Sequence, residues 1–129
     1  MINKDKKMQS ACTKQNVLSL SKTFALQIVK LYQDLTSYKR EYVLSKQLLR
    51  SATSIGANIK EAQFAQSKAD FTAKMYIALK EAGETEYWVE LLHDAKYLES
   101  KEFAIIIESC RVIIRMLSAI TKTAKNTSK

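Results

Sequence analysis

SKADFTAKMYIALKEAGETEYWVELL, residues 67–92, decides the fold. Phe71, Met75, Ala78, Ala82, Thr85, Val89 and Leu92 recur at spacings that alternate between four and three, which places them on one stripe of a single long helix. Ser67 and Asp70 stand at capping-box spacing in front of it. The same alternation continues downstream through Phe103, Ile106, Cys110, Ile113, Leu117, Ile120 and Ala124, a helix that Ser100 is placed to cap. Upstream, Leu44, Leu48, Ser51, Ile55, Ile59 and Ala62 mark a helix over about 39–65, with an unusually small middle. Leu20, Phe24, Ile28, Leu31 and Leu35 mark another over about 19–36, with Asn16 or Ser19 as its cap.

Composition agrees with helices. The 129 residues are 47% apolar and 26% charged, enough for one domain with a real core. Proline is absent and glycine occurs only twice, so the tight turns of a sandwich or barrel are missing. Short connections between four amphipathic helices predict an all-α, antiparallel up-down-up-down four-helix bundle. The bundle is expected over 16–125, with a flexible basic tail over 1–15 and a second basic tail over 126–129. No apolar run reaches membrane-spanning length and the start, MINKDKKMQS, is not a secretory signal, so a cytoplasmic protein without membrane association is expected. Cys12 falls in the polar tail and Cys110 in an apolar helix, which makes neither a disulfide framework nor a metal cluster.

Helix four has more apolar surface than one seam uses. Ile105, Val112, Met116 and Ala119 form a second stripe about 100° around from the first, widened by Ile107 and Ile114, and packing between subunits is its expected use. Tyr87, Trp88 and Tyr97 are aromatic residues that could join such a surface or sit at the core edge with their polar atoms at the solvent boundary. Net charge is +8 and concentrates at the ends: residues 1–18 hold four lysines against Asp5, and residues 121–129 hold three lysines and no acid. Lys39, Lys46, Arg50 and Lys60 share one face of helix two. Arg111, Arg115, Lys122, Lys125 and Lys129 continue a line along helix four, while Glu84, Glu86, Glu90 and Asp94 give helix three the opposite sign. The basic lines either neutralise nucleic-acid phosphates or pair with the acidic helix.

Catalytic chemistry does not assemble. Glu90 and His93 have the Glu-x-x-His spacing of dimetal carboxylate bundles, but His93 is the only histidine and such a site needs two. No nucleophile motif or phosphate loop accompanies it, so no enzyme activity, metal or cofactor is expected. Gly56 and Gly83 each cost about 1 kcal/mol in mid-helix relative to alanine. Close approach is the expected reason, with Phe71, Met75 or Trp88 packing on the small patch around Gly56. Asn58 and Glu81, if partly buried, need hydrogen-bond partners and are expected to fix helix register.

QLLRSATSIGANIKEA (47–62), then Asp70-Phe71, then IALKEAGETEYW (77–88) strongly resemble the four-helix-bundle family named for proteins encoded by intervening sequences in bacterial 23S ribosomal RNA genes. The resemblance covers about residues 16–125. The architecture is also similar, more distantly, to the accessory variability protein of diversity-generating retroelements, a basic pentameric barrel that binds nucleic acid and its reverse transcriptase. These resemblances imply a non-enzymatic, ring-forming bundle, with a pentamer as the expected homo-oligomer and a reverse transcriptase as a partner to consider. The expected function is an oligomeric accessory protein that contacts RNA or DNA phosphates through Lys46, Arg50, Lys60, Arg111, Arg115, Lys122 and Lys125. The alternative is a protein-interaction scaffold with no nucleic-acid contact, its charges used for subunit pairing.

Overall fold

The computed structural model describes the backbone of residues 2–127 and the side chains of residues 17–125. Four helices follow one another: α1 (Ile2–Ser37), α2 (Leu44–Ala62), α3 (Lys68–Asp94) and α4 (Ser100–Thr127). Each packs against its neighbour in sequence and α1 closes on α4, while the diagonal pairs do not bring their backbones together among the described residues, so the bundle is a square of antiparallel helices. No strand occurs among the described residues, and none of their helices is long and apolar enough to cross a membrane. The side chains of the expected 1–15 tail, Cys12 among them, and those of 126–129 lie outside the described residues.

The stripes read from the sequence form the core. On α3, Met75, Ala78, Ala82, Thr85, Val89 and Leu92 are buried; on α4, Ile106, Cys110, Ile113 and Leu117 are, and Ile107, expected on the surplus face, is buried with them. Ser67 caps α3, its hydroxyl accepting from the Asp70 amide at 3.0 Å, while the Asp70 carboxylate reaches the Gln66 amide at 3.3 Å. Burial of these stripes carries most of the stability, since helix propensity alone would not hold segments of this length.

α1 departs from the reading. It runs unbroken through Asn16 and Ser19, so neither caps it, and Leu20 is 39% exposed. The buried positions are Val17, Ser21, Phe24, Ile28, Leu31 and Leu35, an uninterrupted 4-3 alternation in which a serine stands where an apolar residue was sought. Ser21 is there because α2 comes close. A Cβ added to Gly56 would lie 3.0 Å from Ser21 Oγ, whose hydroxyl donates to the Leu18 carbonyl at 2.7 Å. Small partners meet the small patch of α2: Ser21 of α1 at Gly56, and Thr85 of α3, whose hydroxyl lies 2.8 Å from that of Ser51. Gly83 has open space around it, so close approach within the chain does not explain it.

α2 begins at Leu44 rather than near residue 39, because Glu41 stops the chain there. Its carboxylate accepts from the amides of Val43, Leu44 and Ser45 at 3.1, 2.7 and 2.7 Å, taking three donors that the first turn of a helix leaves open. Burial pushes the Glu41 carboxyl up, but hydrogen bonds from Leu44, Ser45 and Val43 outweigh it and hold the pKa below 4.5. Lys39 therefore sits in the turn, not on the helix, and donates to the Tyr97 carbonyl at 2.6 Å.

The glycine-poor turns use other residues in the left-handed region, Arg40 (φ 54°) and Lys96 (φ 73°). After α3 the bonds from the Lys96 amide to His93 and from the Tyr97 amide to Leu92 make a Schellman motif with lysine in the usual glycine place. Ser100 is the first residue of α4, and its hydroxyl faces His93 Nε2 at 3.3 Å instead of serving as an outlying cap.

Candidate nucleic-acid interface

The residues expected to contact phosphate divide into two sets. Arg50 reaches across from α2 to Glu81 and Glu84 of α3, Arg111 binds Glu86 (Nε to Oε2, 2.9 Å), and Arg115 binds Glu108 two turns back on its own helix (2.9 Å). The arginines are therefore engaged with carboxylates, in exposed pairs that solvent and salt screen. Lys46, Lys60, Lys122 and Lys125 are exposed and make no ion pair among the described residues.

Antiparallel topology sorts the charges along the bundle axis. The half built from residues 17–27, 54–80 and 114–125 holds eight basic and two acidic residues. The half built from 28–53 and 81–113 also holds eight basic residues, but against ten acids. The positive pole is thus made by where the acids are not. Its two acids are occupied, Glu61 facing Lys74 Nζ at 4.0 Å and Asp70 in the α3 cap. The described side chains begin at Val17 and end at Lys125, both in this half, and the sequence before and after them carries a further +4. An apolar cleft of about 900 Å³ opens there, between Val17, Ile59, Met75 and Ile120, with Lys68 on its lining.

Lys60, Arg115, Lys122 and Lys125 belong to this pole, whereas Lys46, Arg50 and Arg111 lie in the other half. Phe64 carries no periodic signal in the sequence, and only the turn after α2 brings its ring beside Lys60. Phe64 is 75% exposed, with Lys60 Nζ 6.0 Å from its ring centroid.

Of the second stripe on α4, Ile105 is 57% exposed and Ala119 is also exposed, while Val112 and Met116 are half-buried. Cys110 and Arg111 contact α3, and the stripe lies on the opposite side of the core line. Asn58 Nδ2 donates to the Ser54 carbonyl at 2.8 Å within α2, so it does not set register between helices; Glu81 does bridge helices, through Arg50. Trp88 Nε1 is buried without a hydrogen-bond partner rather than at the solvent boundary.

His93 stacks on Phe103 with ring centroids 4.0 Å apart and an angle of 12°, and its Nδ1 lies 3.6 Å from Asp94. No group of three metal-ligating side chains occurs among the described residues. Cys110 is sealed in the core with its thiol 3.5 Å from the Ala82 carbonyl, and burial, with Glu86 nearby, pushes its pKa up to about 12.

Residues 13–119 match the family model described as 23S rRNA-intervening sequence protein. Among solved structures, the chain is similar to a protein of unknown function from the S23 ribosomal protein family of Bacteroides thetaiotaomicron. The two are 48% identical with a TM-score of 0.84, over 85% of this chain and 98% of the other. No curated protein matches.

Proposed function

Because the chain belongs to the 23S rRNA-intervening sequence protein family, we propose that it is a non-catalytic, self-associating accessory protein that binds the phosphate backbone of RNA or DNA. The observation that supports this most is the positive pole, where Lys60, Lys122 and Lys125 stand exposed without ion-pair partners among the described residues. Phosphate contacts there release counterions, so affinity falls steeply with salt and depends little on sequence. Copies gather through the exposed α4 stripe around Ile105, and a ring of five would bring several poles into one field.

The salt dependence of binding to a mixed-sequence RNA or DNA tests it. Replacing Lys122 and Lys125 by alanine should lower the slope of log K against log salt by about two, whereas replacing Arg50 and Arg111 should change it little. Affinity that stays flat with salt would remove the proposal. The alternative scaffold reading draws on the bonds of Arg50 and Arg111 to α3, which take those two cations away from phosphate but pair them within the protomer and not between subunits. Reversing Glu86 and Glu90 separates the two: loss of assembly supports the scaffold, and intact assembly with tighter RNA binding supports the nucleic-acid reading.

A further inference from the structure

A phenylalanine has no polar atom to place in water, yet Phe64 presents three quarters of its surface at the most positive part of the molecule. It sits in the turn after α2, fixed by the bond from its own amide to the Glu61 carbonyl at 3.0 Å. Lys60, one turn earlier, holds its ammonium 6.0 Å from the ring centroid, and Lys68 opens the next helix four residues on. Neither neighbour covers the ring. An exposed aromatic face with a cation beside it is the pairing that single-stranded nucleic acids use, the ring stacking on an unpaired base while nearby cations hold the phosphates. A duplex keeps its bases stacked on one another and offers such a ring nothing.

We propose that Phe64 is a stacking platform for an unpaired base, with Lys60 and Lys68 on the adjoining phosphates, so that the positive pole prefers single-stranded to duplex nucleic acid. This rests on the backbone-binding reading above and adds a preference that charge alone does not create. Charge complementarity favours a nucleic acid over an apolar peptide, since Lys60 stands by the ring and Lys68 follows four residues on, while the carboxylates of Glu61 and Asp70 are occupied by Lys74 and the Gln66 amide.

The test is fluorescence anisotropy with a labelled 20-nucleotide mixed-sequence RNA, single-stranded and annealed to its complement, across a salt series, with affinities compared at one moderate salt. Phe64→Ala should weaken single-strand binding about tenfold, the loss of one base–aromatic stack, with duplex affinity and salt slope unchanged. Phe64→Trp should restore it, with indole fluorescence quenched on binding. If Phe64→Ala leaves both affinities unchanged, or weakens both equally, the stacking proposal is overturned while salt-dependent binding keeps the backbone reading. If the parent protein binds neither probe, both fall. A change in assembly mass by light scattering on Phe64→Ala would assign the ring to a contact between copies and overturn the proposal.

Discussion

Gly56 and Gly83 make the same substitution a test with opposite signs. Alanine gains about 1 kcal/mol over glycine in a helix interior. At Gly83 nothing stands within 4 Å of the new methyl, so Gly83→Ala should stabilise by about that amount, or about 4 °C in Tm for a chain of this length. At Gly56 the methyl would meet Ser21 Oγ at 3.0 Å, and that hydroxyl is held by its bond to Leu18 in a fully buried site. Overpacking of this kind costs about 1–3 kcal/mol, which exceeds the propensity gain and leaves Gly56→Ala net destabilising by about 1 kcal/mol. The conflict is with the oxygen, because Ser21 Cβ would be at an ordinary 3.6 Å. In a Ser21→Ala background the same change should therefore become favourable, giving a coupling of about 1–3 kcal/mol in a double-mutant cycle. Urea denaturation of the four variants, with Gly83→Ala alongside, measures it. Equal effects of Gly56→Ala in both backgrounds would refute the reasoning.

Lys96→Gly should stabilise by about 1 kcal/mol, since it relieves a left-handed lysine in the turn after α3, and thermal denaturation reads it directly. Glu41→Gln should cost about 1 kcal/mol at neutral pH through loss of a charge-assisted cap. The Glu41 pKa is depressed on folding, so its contribution is complete above pH 4.5 and disappears as pH falls through the lower folded value; the parent and Glu41→Gln stabilities should converge there in acid denaturation. In a Cys12→Ser variant, Cys110 should resist a maleimide at pH 8 until denaturant opens the core, because its thiol ionises only near pH 12.

The stripes of α2, α3 and α4 were legible because a 3.5-residue period needs only the order of residues along one helix. The α1 seam was half legible: Ser21 disguised it, and the reason for a serine there is Gly56 on another helix. The start of α2 was hidden for a related reason, since the carboxylate of Glu41 folds forward onto amides that a sequence pattern credits to the helix itself. Among the site residues, the arginines and lysines read alike in the chain. Only the register between α2, α3 and α4 sets Arg50 and Arg111 against carboxylates while leaving Lys60, Lys122 and Lys125 without an ion-pair partner among the described residues. Phe64 carried no periodic signal at all, and its neighbours become visible only when the turn folds.

The uneven acids have a dynamic consequence. With the excess of positive charge gathered at one end and a slight negative excess at the other, the bundle carries a permanent moment along its long axis. A polyanion's field exerts a torque on such a rod before any contact forms, turning the positive end forward and making an encounter with the wrong end self-correcting. Salt would then slow arrival as well as loosen grip, by dimming the field that does the turning.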